Sequence, residues 1–185
     1  MSNNLFNGEI PDVFSAVTNL SVFLAGNNEI VGSIPKSLAQ LTNLVALQIY
    51  ENELQGSIPA FVSKKLEQIH LDNNQLTGSL EALTTDLLKE VRFEGNKLSG
   101  NIPVEVGLHT NLKLLWLNGN QLSGTVPNAL GQLERLDSLR LDGNLLKGFV
   151  PNSICSLKSD HELSSFRATC SGTNPDLKCD CCDSC

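Results

Sequence analysis

Two sets of residues in this 185-residue chain carry side chains capable of chemistry. The first set recurs at a nearly constant step along the chain. Gln48, His70, Arg92, Trp116 and Arg140 share one register; Tyr50, Asp72, Glu94, Asn118 and Asp142 follow two positions later. Leu24 and Gly26 open the same two registers. Trp116 is the only tryptophan and Tyr50 the only tyrosine. His70 beside Asp72 has the ingredients of an acid–base pair, but no serine or cysteine nucleophile shares its register. Asp72 and Glu94 form a pair of carboxylates such as glycosidases use, a signal that acidic residues on any strand face would give. An aromatic ring with an arginine one step to either side points instead to recognition. Guanidinium groups stack on indole, and Trp, Tyr and Arg dominate interface hot spots. We therefore take these ten residues as candidate ligand contacts, with Trp116 as the anchor, and assign no catalytic residue. The competing expectation is a self-satisfied face. Arg92 would pair with Glu94 or Asp72, and Arg140 with Asp142, each exposed pair worth roughly 0–1 kcal/mol.

The second set is the cysteines. All six (Cys155, Cys170, Cys179, Cys181, Cys182 and Cys185) lie at the C-terminal end, and none precedes Cys155. Thiolates spaced as Cys179, Cys181, Cys182 and Cys185 are spaced can hold zinc. An even number, clustered at one end, favours disulfides. Six cysteines allow fifteen pairings and sequence does not choose among them. No cofactor or metal is implied, and no H-E-x-x-H, P-loop or kinase motif occurs. Asn19-Leu20-Ser21 is the only N-x-[ST] acceptor site for a glycan.

Both sets are positioned by one repeated phrase, clearest in N-Q-L-S-G-T-V-P from Asn120 to Pro127. It occurs seven times, with Asn at 4, 28, 52, 74, 96, 120 and 144 and Gly four positions later each time. Pro closes six copies; Glu81 replaces it in one. A fixed period in the twenties denotes a solenoid. Apolar residues precede each Asn by eight, five and three positions, as in Leu112, Leu115 and Leu117 or Leu136, Leu139 and Leu141. Alternation along a strand sends the second and third of these into one core and leaves the residues between them facing out. The candidate residues thus form two columns on a parallel sheet, one step every ~4.8 Å. The Asn amide, able to donate and accept, can satisfy buried backbone between coils. Gly suits a backbone needing positive φ, and Pro fixes φ where the chain leaves for the opposite side. That side is expected to carry short helices or 3₁₀ turns, as from Pro35 to Leu41. The two shorter repeats, Asn52 to Asn74 and Asn74 to Asn96, lose residues there, which leaves the strand register intact.

The full unit, L-x-x-L-x-L-x-x-N-x-L-x-G-x-I-P, matches the leucine-rich-repeat signature. Its G-x-I-P extension resembles the plant-type subclass of receptor-like kinases, receptor-like proteins and polygalacturonase-inhibiting proteins. The resemblance covers residues 4–157. The expected fold is α/β: a right-handed leucine-rich-repeat solenoid, or horseshoe, with a parallel concave sheet and convex helical turns. Residues 1–157 make the repeat domain and 158–185 a Cys-rich cap. From Asp160 to Thr169 we expect a last helical turn and a degenerate strand with Phe166, Ala168 and Cys170 alternating, then a loop over 171–175. The cysteine-rich end is similar to that of some algal, diatom-type leucine-rich-repeat proteins.

A formal charge of −7 and a pI of 4.9 argue against nucleic acid and anionic membranes as partners. No apolar run is long enough to span a bilayer, and the N-terminus lacks the basic start and apolar stretch of a signal peptide. Clustered cysteines without such a leader, and a first repeat lacking its strand, lead us to expect a fragment of a longer protein at the cell surface or outside it. The resemblance implies a non-catalytic recognition module binding a peptide, protein or glycan, with a possible co-receptor, in a receptor-like signalling protein. An inhibitor of a secreted cell-wall-degrading enzyme is the alternative.

Overall fold

The computed structural model describes residues 2–80, 83, 85–169 and 177–183. Glu81, Cys170, Cys185 and the expected loop at 171–175 lie outside the described residues. One solenoid core runs through the chain. Its concave wall is a parallel sheet of seven strands: Val22–Leu24, Ala46–Gln48, Gln68–His70, Glu90–Arg92, Leu114–Trp116, Ser138–Arg140 and Ser165–Arg167. Each pairs with its neighbour in strict register, so that Phe23, Leu47, Ile69, Val91, Leu115, Leu139 and Phe166 form one inward column. From Leu47 onward that column is fully shielded from solvent, as are the flanking Leu44, Leu66, Leu88, Leu112 and Leu136. Burying a leucine side chain contributes about 1.5–3 kcal/mol, and the period delivers one such set per coil.

The repeat asparagines stitch successive coils together. Asn96 Nδ2 donates to Leu71 O at 2.9 Å in the preceding coil and to Phe93 O at 3.1 Å in its own, while its Oδ1 accepts from Leu76 N at 3.0 Å. Asn52, Asn74, Asn120 and Asn144 repeat the pattern. A side chain with both donor and acceptor is required, because each turn exposes a carbonyl and an N–H that have no other partner.

The repeat glycines all adopt positive φ, from +76° to +87°. They do so for a reason absent from the sequence reading: the chain does not go straight to the convex side. It first forms a second, lateral ladder. Strands Ser99–Asn101, Gln121–Thr125, Leu145–Phe149 and Leu177–Lys178 make one parallel sheet, and Asn7–Glu9 pairs with Glu29–Val31. Between them the hydrogen bonds continue, with Gln55 N donating to Gly32 O, Thr77 N to Gly56 O and Ser99 N to Gly78 O, each at 2.7–2.8 Å.

The convex side carries 3₁₀ turns at Phe14–Ala16, Val104–Leu108 and Asn128–Gln132 and α-helices at Lys36–Ala39 and Asn152–Asp160. Pro35, Pro103, Pro127 and Pro151 stand at the N-cap positions with φ between −61° and −66°, where a missing N–H costs nothing. No helix forms among the described residues between Pro59 and Leu66 or from 83 to 88, as the shorter repeats require, and the concave register passes through undisturbed. Ser63 and Thr85 in the shorter coils, and His109 in a longer one, occupy the buried convex position that is Leu41, Leu133 and Leu157 elsewhere.

At the C-terminal end the strand Ser165–Arg167 appears where a degenerate strand was expected, with Phe166 and Ala168 buried, but the helix lies earlier than expected, spanning Asn152–Asp160 and ending where the last helical turn was to begin. The tail folds back over the last coil. Leu177 and Lys178 pair with Gly148 and Phe149. Cys155 is bonded to Cys181 and Cys179 to Cys182. Asp183 accepts from Phe166 N at 2.6 Å and pairs with Lys158. At the other end Leu5, Phe6, Val13, Val17, Val22 and Leu24 are exposed. Among the described residues no helix is long and apolar enough to cross a membrane.

Candidate functional site: the concave face

The first expected column, Gln48 to Arg140, ends the concave strands; the second, Tyr50 to Asp142, lies two residues beyond the strand ends. Arg92, Trp116 and Arg140 are direct register partners on Glu90–Arg92, Leu114–Trp116 and Ser138–Arg140. The Arg92 guanidinium lies 4.5 Å from the indole centroid and that of Arg140 lies 4.0 Å from it. Trp116 is therefore covered on both faces. Its Nε1–H donates to Ser138 Oγ at 2.9 Å. This arrangement changes the role expected of it. A ring flanked by two cations and hydrogen-bonded at its edge holds those cations in place; it does not offer a bare platform.

The ion pairs differ from those expected. Arg92 pairs with neither Glu94 nor Asp72; its Nη2 lies 3.6 Å from Glu90 Oε2. His70 likewise turns from Asp72 to Glu90, its Nε2–H donating to Oε2 at 3.0 Å. Glu90 belongs to a third column, two positions before Arg92, that the sequence reading left out. Gln68 and Ser138 stand in it too. Gln48 Nε2 donates to Gln68 Oε1 at 3.1 Å, and Gln68 Nε2 reaches Glu90 Oε1 at 3.4 Å. The signal was present: alternation about the central buried residue turns both of its neighbours outward. Polar side chains thus form one connected strip from Gln48 through Glu90 to Arg92.

His70, only 8% exposed, has its pKa lowered by burial first and by the Arg92 charge second, against the pull of Glu90. It is a neutral donor to a carboxylate at neutral pH, tied into this strip. The Tyr50 ring packs against Gly26, where a Cβ would fall 2.5 Å from it, so a larger residue there would displace the ring. Asp72 accepts from Asn73 Nδ2 at 3.1 Å. Burial raises its pKa. Burial also raises the Glu94 carboxyl to about 7, with the Asp72 charge adding to the effect and Arg92 and Arg140 opposing it.

The acidic column is left unmatched. Glu94 Oε2, Asn118 Oδ1 and Asp142 Oδ1 are shielded yet without hydrogen-bond partners, as are Arg92 Nε and Arg140 Nε. Among the described residues, Thr85 Oγ1 and both ring nitrogens of His109 are the other side-chain atoms in that condition. Native structures pair nearly all such groups, so their concentration on three adjacent strands marks this face.

The leucine-rich-repeat family profile matches residues 111–133 and 135–157. No curated protein matches the chain significantly. Solved structures do. A plant peptide hormone receptor, RGFR1 in complex with RGF2, is 34% identical, with a TM-score of 0.86 over 96% of this chain. The chain is a plant-type leucine-rich-repeat protein. The TDR receptor is similar at 31% identity and TM-score 0.82 over 99% of this leucine-rich-repeat chain. The Arabidopsis receptor kinase HAESA, in complex with the peptide hormone IDA and the co-receptor SERK1, is similar at 29% identity and TM-score 0.71 over 96%. The chain spans 28%, 34% and 33% of the length of those three structures, respectively.

The remaining expected residues are placed as follows. Asn19 is exposed, in the turn before the strand Val22–Leu24. Cys155, Cys179, Cys181 and Cys182 are disulfide-bonded, while Cys170 and Cys185 fall outside the described residues.

Proposed function

We propose that this leucine-rich-repeat protein is a non-catalytic recognition module that binds a peptide on its concave face, outside the cell, within a receptor-like signalling protein. The observation that carries this reading is the concave face itself. A rigid parallel sheet presents a stacked Arg92–Trp116–Arg140 row beside an unmatched acidic column. Side chains already ordered by stacking and hydrogen bonds lose little entropy on binding, so contacts made there translate into affinity. The likeness to ectodomains solved with RGF2 and with IDA supports a peptide as the ligand class. The two described disulfides agree with an oxidising compartment. There, Asn19 would carry a glycan.

The experiment is a screen of a synthetic peptide library against the whole chain, with hits mapped by amide chemical shifts. Hits are expected to perturb residues of Gln68–His70 through Ser138–Arg140. Trp116→Ala should weaken them about tenfold or more, the scale of a hot-spot loss, while the thermal transition persists. Hits that map to the lateral sheet and bind Trp116→Ala unchanged would overturn the reading. Expression through a secretory pathway, compared with Asn19→Gln, tests the glycan by mass.

A further inference from the structure

The concave columns carry opposite charge, and among the described residues no hydrogen bond or ion pair joins one to the other; Arg92 and Arg140 act on Glu94 only through space. Among the described residues no hydrogen bond or ion pair reaches the Arg140 guanidinium, which stacks on the Trp116 ring at 4.0 Å. Arg92 is held by the same ring and by Glu90. Two positions along those strands, Glu94 Oε2 and Asp142 Oδ1 have no partner, and between them Asn118 Oδ1 has none. Trp116 causes this separation. By stacking both guanidiniums along one column it keeps them from folding onto the carboxylates of the next, which is where isolated Arg92 and Arg140 side chains would be drawn.

A ligand must meet both columns at once. An anion on Arg140 alone would be repelled by Asp142, two residues or ~7 Å along the same coil, and, above pH 7 where it is ionised, by Glu94 two coils away. A lone cation over Glu94 and Asp142 would be repelled by Arg92 and Arg140. Only a group carrying both signs, spaced to match, is attracted by each column and repelled by neither. In an extended peptide, side chains at i and i+2 lie on one face ~7 Å apart.

We propose that the concave face recognises a dipolar peptide segment. It carries an acidic and a basic side chain two positions apart, the acid on Arg140 and the base on Glu94 and Asp142. Trp116 acts as the positioning residue that keeps the two columns apart. This deepens the concave-face reading and rests on it. An acid bound by Arg140 forms a charge-assisted pair with a planar fork. The base supplies the donors that Glu94, Asn118 and Asp142 lack.

The test uses the single tryptophan as reporter. Acetylated and amidated pentapeptides Gly-Asp-Ala-Lys-Gly and Gly-Lys-Ala-Asp-Gly are titrated into the protein at low salt and pH 8, where Glu94 is ionised. Their Asp-to-Asn and Lys-to-Gln analogues serve as controls. The Trp116 indole N–H resonance and its fluorescence are followed. At least one dipolar peptide is expected to bind about tenfold or more tightly than either of its singly charged analogues, as loss of a charged hydrogen bond implies. Arg140→Gln and Asp142→Asn should each abolish that preference, and Trp116→Leu should reduce it. Equal binding of dipolar and singly charged peptides would overturn the proposal, as would a preference that survives both charge variants. The peptide series on the unmodified protein decides the matter even if a variant fails to fold. Library hits that map to this face without dipolar preference would sink this inference and leave concave recognition standing; hits that map elsewhere would sink both.

Discussion

Glu94 shows how a single side chain records its surroundings. On a free chain its carboxyl would titrate near 4.5; burial beside Asp72 raises it to about 7. A folded pKa above the unfolded one means that the fold favours the protonated form. The resulting stability is fully present below about pH 4.5 and is lost as pH rises through 7. The side chain is only partly buried, so the effect is screened and amounts to about 1 kcal/mol. Glu94→Gln should therefore melt higher than the unmodified protein at pH 8, with the gap closing by pH 5. Thermal melts at the two pH values check this; an equal gap at both would mean that Glu94 is not the titrating group. Trp116 teaches the complementary lesson. Its register beside two arginines was legible in the repeat, and so was the stacking. The choice of Glu90 over Glu94 by Arg92 was not, because it depends on side-chain reach across strands.

At the scale of the coil, each repeat needs two left-handed residues. One is the repeat glycine. The other immediately precedes the repeat Asn and is Gly95, Gly119 or Gly143 in three coils, with φ +65° to +67°. Asn3, Asn27, Glu51 and Asn73 hold it in the other four, with φ +50° to +58°. Asn tolerates that conformation; Glu does not do so readily, at about 1–2 kcal/mol for an L-residue. Replacing Glu51 with glycine relieves the strain and adds some unfolded-state entropy. Glu51→Gly is expected to stabilise the protein by about 0.5–1 kcal/mol, read as a higher urea midpoint with an unchanged slope; a lower midpoint would show that Glu51 makes contacts worth more than its strain. The second left-handed position was hidden in sequence because three residue types share it. The lateral ladder was hidden for a related reason. Its strands alternate polar with Gly and apolar residues, and only the parallel stacking of coils gives their N–H groups partners.

Across the whole molecule the core is a stack, each coil covered by the next, so the ends decide whether the stack stays closed. The C-terminal end is closed by the returning tail. Cys155 and Cys181 are separated by 26 residues, and a cross-link of that span stabilises by about 3 kcal/mol in the chain-entropy view. Removing both thiols, as Cys155→Ser with Cys181→Ser, should lower stability by about that amount. It should also speed amide exchange first at Phe166, whose N–H is bonded to Asp183. Uniform exchange across all coils would mean that the tail closes nothing.

The sequence alone determined the coil. A nearly constant period, with leucines at fixed offsets from Asn, leaves one way to bury the repeat's leucine positions together. That requirement sets the parallel sheet, the inward column and the two charged columns on its outer face. Register is a local property, repeated seven times, and so it can be read from one chain. What the tertiary structure decided is non-local. Arg92 and Arg140 meet Trp116 from the neighbouring strand on either side, and Glu90 takes both His70 and Arg92. Glu94 Oε2 and Asp142 Oδ1 are left without a hydrogen-bond partner because those choices are already made. Several pairings had the right charge and the right column. Only the distances between side chains on adjacent coils selected among them, and those distances exist only once the coils are stacked.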